Sequence, residues 1–364
     1  MASQGHPIHK INDIISTFRP TKRFRPDDQK TSVTSLDFDD TGELAIIARN
    51  DDTLQIYNCK EGKHAKELKS QKYGVHLARF THHAQSILYA STKVDDTIRY
   101  LSTHDNSYIR YYRGHTAPVT CITLCPSSDT FMSCSLDDTV RLWSLNSQNA
   151  QGILKLRAPS LAAYDPSASV IAVASPSSQT VLLYDLRNYD KPPFASFDLG
   201  GLERRLLSPQ SSHQKSLSDW TKIEFTNDGK SILVGTAGAG HFLIDAFDGS
   251  LRHFLAKAGS GSLRTPPSAT PSSSANSTSD AQARPALGQG DICLSPDGRY
   301  AIEGGGLLVW DLHSAQTEDR ILRPSAELPG PGRQEVVGYN HRMNLICSAD
   351  KDMLIWLPDG ELAP

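Results

Sequence analysis

Gly114-His115, Ser133, Ser135, Asp137 and Trp143 bring the side chains of acyl transfer into one stretch of chain: a hydroxyl nucleophile, an imidazole base and an orienting carboxylate. That chemistry also needs an exposed, strained turn under the serine and an oxyanion hole, and no G-x-S-x-G elbow occurs. The same residues can instead form a buried hydrogen-bond network. In it a loop histidine is tied to a turn aspartate (Asp137), a strand serine (Ser133) and an indole N–H (Trp143), which fixes the geometry of a sheet. The network is the expected reading, and no catalytic residue is assigned.

The other chemistry-bearing groups point the same way. Six cysteines (Cys59, Cys121, Cys125, Cys134, Cys293, Cys347) contain no C-x-x-C pair, so free buried thiols in a reducing compartment are expected and no metal site. Gly235-Thr-Ala-Gly-Ala-Gly240 leads into Phe242-Leu-Ile-Asp, a strand, so it lacks the helix N-terminus of a phosphate loop. His82-His83 have no third ligand at fixed spacing and read as a hairpin cap. No cofactor is implied. The cluster Arg19, Lys22, Arg23 and Arg25 reads as a solvated edge strand. Tyr108, Tyr111 and Tyr112 around Arg110 and Arg113 have the composition of an interface hot spot. Tyr184-Asp-Leu-Arg187 is similar to the W-D-x-R box of ubiquitin-ligase substrate receptors, which makes a cullin-type adaptor the alternative function, ahead of a propeller hydrolase.

What positions these groups is an internal repeat. Asn50-Asp-Asp-Thr-Leu-Gln-Ile-Tyr57 is echoed by Val94-Asp-Asp-Thr-Ile-Arg-Tyr-Leu101 and by Leu136-Asp-Asp-Thr-Val-Arg-Leu-Trp143. The same slot closes at Tyr184, Ile244, Trp310 and Trp356, with gaps of 44, 42, 41, 60, 66 and 46 residues. Four of these match the ~40–45-residue period of WD-repeat propeller blades, and seven slots imply seven blades. Each unit alternates like strands and turns at Asp-Asp-Thr-Gly42, Asn227-Asp-Gly or Pro296-Asp-Gly, and no helical period of ten residues emerges. The fold class is an all-β, seven-bladed WD-repeat propeller. Asp51, Asp95 and Asp350 share the turn slot of Asp137 as structural network residues. Ser178, Gly238 and Gly304 replace it, so blades four to six should be held less rigidly.

Little chain follows Trp356, so Thr17–Phe24 is expected to supply the last blade's outer strand and close the ring. Proline on such an outer edge is tolerable. The division expected is a flexible arm at 1–15, the propeller at 16–358 and a tail at 359–364. Within it, 200–215 reads as a long loop and 257–290 as a disordered Ser/Pro/Thr-rich insertion between blades five and six, with Thr265-Pro and Thr270-Pro open to phosphorylation. The formal charge is −3 (37 Lys+Arg against 40 Asp+Glu), which excludes blanket attraction to nucleic acid or acidic membrane. The apolar fraction of 38% is below the globular norm, as the loops would make it, and no run is long enough to span a bilayer. A soluble intracellular protein is expected.

Beyond the generic repeat, the chain carries Lys72-Tyr-Gly-Val75, His104-Asp-Asn106, Tyr108-Ile-Arg-Tyr111, Gln151-Gly152, Asp185-Leu-Arg187, Leu243-Ile-Asp-Ala-Phe247 and Trp356-Leu-Pro358. Together these resemble the WD-repeat protein 82 family, whose fungal members are the small WD subunit of the COMPASS complex. The resemblance implies a non-catalytic nuclear scaffold. Its partners would be the catalytic subunit of a histone H3 lysine methyltransferase complex, cleavage and polyadenylation or phosphatase subunits at transcription termination, and the phosphorylated RNA polymerase II tail. Peptide capture is expected on the face carrying the loops before each first strand and the turn aspartates. Tyr73, Val94, Ala117, Leu136 and Ala349 are its candidates, with Arg99 and Arg110 available to a carboxylate or phosphate.

Overall fold

A computed structural model describes residues 11–26, 31–206, 220–257, 291–314, 319–330 and 334–361. Within them the strands form seven separate sheets that follow the sequence repeat. Blade one is Val33–Phe38, Leu44–Arg49, Thr53–Asn58 and Lys63–Lys69; blade two is His76–Phe80, Ser86–Ala90, Ile98–Ser102 and Tyr108–Tyr112. Blade three is Val119–Leu124, Thr130–Ser135, Thr139–Ser144 and Gly152–Lys155; blade four is Leu161–Tyr164, Val170–Ser175, Thr180–Asp185 and Ala195–Asp198. Blade five is Trp220–Phe225, Ser231–Thr236, Gly240–Asp245 and Leu251–Ala256; blade six is Ile292–Leu294, Tyr300–Glu303, Leu308–Asp311 and Ala326–Glu327. Blade seven takes only three consecutive strands, Val336–Tyr339, Ile346–Ala349 and Met353–Pro358.

The fourth strand of blade seven is Phe18–Phe24, which pairs antiparallel with Met353–Pro358 from Phe18↔Pro358 to Phe24↔Met353, so the N-terminal strand closes the ring as expected. A register shift between Pro20 and Lys22 absorbs the proline on this outer edge. Phe18 is fully buried with Ile14, Ile15, Tyr339 and Trp356, and the Phe24 ring lies 4.7 Å from that of Tyr57 in blade one.

The Asp-Asp-Thr triplet has a local reason in the turn between second and third strands. In blade three, Asp137 Oδ1 accepts from the Thr139 hydroxyl (2.6 Å) and backbone N–H (3.0 Å). Asp51 does the same for Thr53 (2.6 and 3.2 Å). The second aspartate takes the left-handed conformation, φ 64° at Asp52 and 61° at Asp138, which Asp tolerates better than most side chains.

Blade six departs from the pattern. Its outer strand is two residues long, because Ile321–Leu322 crosses over to pair parallel with Leu251–Ala256 as a fifth strand on blade five. The Arg320 side chain donates to the Leu251 carbonyl at the same seam.

The expected loops are corrected at three places. Leu199–Leu206 is a helix inside the stretch read as a 200–215 loop, and Leu199 buries itself in the core between blades four and five. Residues Ile11–Ile14 and Ile15–Thr17 are helical, with Ile14 and Ile15 buried, so the arm read as 1–15 is packed from Ile11 onward. Too short for a periodic signal, both helices dock on cores made elsewhere. Lys257, read as the start of the insertion, is a buried residue of the blade core. The remainder of both loops, with Thr265 and Thr270, lies outside the described residues. Among the described residues no helix is long and apolar enough to cross a membrane.

Candidate partner-binding face and the network beneath it

In blade three the serine, histidine, aspartate and tryptophan converge. His115 Nδ1 lies 2.9 Å from Asp137 Oδ2 and Nε2 lies 2.7 Å from Ser133 Oγ, while the Trp143 indole N–H donates to the same Oγ (2.9 Å). One assignment satisfies every group. The imidazole donates from Nδ1 to Asp137, Ser133 donates to Nε2, and the indole fills the serine's acceptor. Thr116 N–H adds a fourth donor to Asp137 (3.1 Å). Glycine suits the position before this histidine, because the φ of 156° at Gly114 is one that L side chains rarely adopt.

The order Asp–His–Ser is that of a hydrolase, but Ser133 has no exposed surface and its oxygen already serves two partners. A substrate carbonyl has no approach to it. The arrangement transmits geometry from the turn to the strand.

Blade seven carries a second version of this network, which no sequence motif marks. Trp356 N–H donates to Ser348 Oγ (2.8 Å), and Ser348 donates to Gln334 Oε1 (2.9 Å), so glutamine stands where blade three has histidine. The signal was one of register. Ser133 pairs opposite Arg141 and Ser348 opposite Leu354, each two residues before its tryptophan.

In blade six the position opposite Leu308, two before Trp310, is Glu303. A buried carboxylate needs a counter-charge. Lys257 Nζ supplies it at 2.7 Å, with His241 Nε2 at 3.8 Å. Burial would raise the Glu303 pKa, but His241 and Lys257 outweigh it and hold the carboxyl below its ordinary value. Blade six therefore has a tie of its own where the turn aspartate is missing. Asp51 and Asp95 bond Arg49 (2.9 Å) and Arg99 (2.9 Å) rather than a histidine, and Asp350 is engaged through its backbone carbonyl by Val33 N–H (2.7 Å).

These networks hold up one face. Val94 and Leu136, at the turns of blades two and three, are 63% and 60% exposed. The half-buried Tyr73 is stitched to the Val94 turn, its carbonyl accepting from Thr92 N–H (2.9 Å) and Lys93 N–H (3.0 Å). Likewise Ser135 donates to the Ala117 carbonyl (2.8 Å), and Leu136 N–H to that of Pro118 (3.1 Å). Four of the five candidates thus form two stitched pairs on neighbouring blades.

The others require correction. Ala349 is fully buried in the core between blades seven and one, because the blade-seven turn begins at Asp350 and Ala349 pairs with Met353 inside the hairpin. Arg99 is 3% exposed and already committed. It forks onto Asp95 (2.9 and 3.1 Å), donates from Nε to Ser91 Oγ (2.7 Å) and stacks its guanidinium 3.5 Å from the Tyr73 ring, with Tyr108 and Tyr111 at 5.7 and 5.2 Å. It is a pillar of the face and cannot meet a ligand phosphate. Arg99→Lys keeps the charge but loses the fork and the stacking. It is expected to cost about 1–3 kcal/mol, read as a lowered melting temperature. Arg110 lies on the outer strand of blade two opposite Tyr100, at the edge of the disc rather than on the face. In the Tyr184–Arg187 box, Tyr184 is buried and Asp185 caps a short turn by accepting from Arg187 N–H (2.9 Å).

All seven innermost strands or the residues flanking them contribute to a central cavity of about 660 Å³. Three of these strands carry a bulge just before Ser35, Cys121 and Lys222, and each of these residues bonds the next blade. Ser35 Oγ accepts from Ala78 N–H (3.0 Å), the Cys121 thiol donates to the Ala162 carbonyl (3.6 Å), and Lys222 Nζ lies 3.9 Å from Asp291. Burial would lower the Lys222 pKa, but Asp291 and Glu224 raise it. Among the described residues no group of three His, Cys, Asp or Glu side chains is placed to hold a metal ion.

Comparison with known proteins places this geometry. The family model "WD domain, G-beta repeat" matches residues 106–144, the stretch that spans the blade-three network. The chain is similar to WD repeat-containing protein 82 of Drosophila melanogaster, 35% identical over 97% of this chain and 98% of that protein. It is 30% identical to the COMPASS component SWD2 of Saccharomyces cerevisiae over 97% of this chain and 98% of that one. It is also 42% identical to the Set1 complex component swd2 of Schizosaccharomyces pombe over 65% of this chain and 63% of that one.

Proposed function

The chain belongs to the family of WD repeat-containing protein 82 and the Swd2 components, and from that premise we propose that it is a non-catalytic scaffold subunit of a nuclear COMPASS-type histone H3 lysine methyltransferase complex. The observation that carries this reading is similarity over nearly the whole chain, inter-motif segments included, which a generic propeller would not share. Sharing with mRNA cleavage and polyadenylation and transcription-termination machinery is part of the same proposal. A rigid ring suits it, because a small cluster of central residues can supply most of the binding energy for a peptide.

The capture site we assign is the face of blades two and three. Val94 and Leu136 are the exposed apolar anchors, and Tyr73 and Ala117 the stitched rim. Asp96 and Asp138 each lie two residues after an anchor, so the segment that fits carries an apolar side chain flanked by cations.

Tagged wild-type chain and the double variant Val94→Asp/Leu136→Asp, purified side by side from cells, test both levels. The wild type should recover methyltransferase or cleavage-factor subunits, and the variant at least tenfold less of them. Its melting temperature should be unchanged, because both side chains are mostly solvated. Recovery of a cullin adaptor without those subunits would overturn the scaffold reading; equal recovery by the variant would move the capture site elsewhere.

A further inference from the structure

Cys121 and Cys134 are direct partners across the innermost pair of strands of blade three. Directly opposed residues in an antiparallel pair project to the same side, and both thiols belong to one apolar cluster. The Cα separation of such partners, about 4.5–5.5 Å, lies inside the range of about 4.4–6.8 Å that a disulfide accepts. Their surroundings differ. Cys121 follows the bulge, is partly exposed and lines the central cavity together with Arg79, whereas Cys134 has no exposed surface.

We propose that Cys121 and Cys134 form a peroxide-reactive dithiol, with Cys121 as the attacking sulfur, reached through the central cavity, and Cys134 as the resolving thiol behind it. The Cys121 thiolate attacks one peroxide oxygen, the O–O bond breaks, and the departing hydroxide leaves as water after taking a proton. The product is a sulfenic acid on Cys121. The Cys134 sulfur then attacks the Cys121 sulfur and the S–O bond breaks. The hydroxide released takes the Cys134 proton and departs as the second water. Two thiols lose two electrons in all, and one peroxide becomes two waters.

The electrostatics divide the roles in the same way. The hydrogen bond from Cys134 is the largest influence on Cys121. With Thr123, the Ala162 neighbourhood and the Arg79 charge, it outweighs burial and brings the Cys121 pKa down to about 6. The same hydrogen bond and burial push Cys134 well above its ordinary value. A thiol with a lowered pKa facing a cavity, with a thiol held protonated beside it, is the arrangement in which the first sulfur reacts and the second resolves.

The molecule contains its own control. Cys59 and Cys347 are also neighbours, between blades one and seven, but both are buried and burial pushes Cys347 well above its ordinary value. Cys293, buried, is pushed to about 12.

The test is peptide mapping of the full chain after hydrogen peroxide at pH 7, without reductant. The expected product is a Cys121–Cys134 cross-link. A sulfenic-acid trap should label Cys121 in the Cys134→Ser variant, and iodoacetamide should alkylate Cys121 at least tenfold faster than Cys293 in the untreated wild type. Cys121→Ser, conservative in shape, should abolish the cross-link while its melting curve stays cooperative. A Cys59–Cys347 cross-link in its place, no cross-link in a chain that melts normally, or equal alkylation of Cys121 and Cys293 would each overturn the assignment. The wild-type mapping and alkylation stand even if a variant fails to fold.

Discussion

Phe18→Ala is expected to lower the melting temperature by about 5 °C or more, and removal of residues 1–25 to leave a chain that aggregates. Phe18 is fully buried, packed edge-on against Tyr339 at a centroid distance of 6.0 Å and clustered with Ile15 and Trp356. Truncating such a side chain to alanine costs about 3–5 kcal/mol, a large share of the roughly 5–15 kcal/mol that holds a domain together. Deletion does more. It strips the ladder from Phe18↔Pro358 to Phe24↔Met353, the Phe24–Tyr57 ring contact and the Arg23–Asp352 ion pair in one step. What remains bare is the edge of Met353-Leu-Ile-Trp-Leu-Pro358, an apolar strand with unpaired backbone groups, the kind of edge that recruits other chains. Size-exclusion chromatography and thermal melting read both outcomes. A monomeric truncated chain melting within about 2 °C of the parent would refute the latch.

Ser133→Ala should cost about 2–4 kcal/mol, because it leaves the Trp143 N–H and the His115 ring nitrogen without partners in a site closed to water. Ser348→Ala removes the equivalent joint between Trp356 and Gln334 and should cost a similar amount. The blade-three network also predicts how stability depends on pH. Burial, opposed by Asp137, holds His115 below its ordinary pKa. Burial would raise Asp137, but Thr139, His115 and the Thr116 N–H outweigh it and bring it down to about 2. Both groups bind protons more weakly in the folded chain than in the unfolded one, so both contribute stability that is complete above about pH 6.5 and lost on acidification. The histidine contribution fades as pH falls below about 6.5, and the aspartate contribution fades between about pH 4 and 2. Melting temperatures of wild type and His115→Gln between pH 7 and 5 should therefore converge as the pH falls. Parallel curves would show that the histidine does not titrate with unfolding.

The repeat made the ring legible because its turns have a chemical cause that survives divergence. An aspartate caps the threonine two residues on, and a second aspartate takes a left-handed backbone. Positions inside the turn were harder to read, since aligning on the aspartate assumes that it always comes at the same place. Asp137 is the middle of three residues between Ser135 and Thr139, whereas Asp350 is the first of three between Ala349 and Met353. One residue of slippage moves a candidate from the solvent into the core, which is what happened to Ala349. Arg99 differs from its sequence expectation for another reason. A cation in sequence looks available, and only the three-dimensional arrangement shows Asp95, Ser91 and Tyr73 taking it up. The serine–tryptophan joint of blade seven was hidden because its histidine is a glutamine. The register between strands, rather than any motif, reveals it.

The closing strand also sets a schedule for biosynthesis. Phe18–Phe24 is translated some 330 residues before its partner Met353–Pro358. At about 5–20 residues per second the early strand waits roughly 20–70 s for its mate, with its edge free the whole time. Pro20, Lys22 and Arg23 then serve as gatekeepers: a missing donor and two like charges discourage pairing with a neighbouring chain before the ring can close.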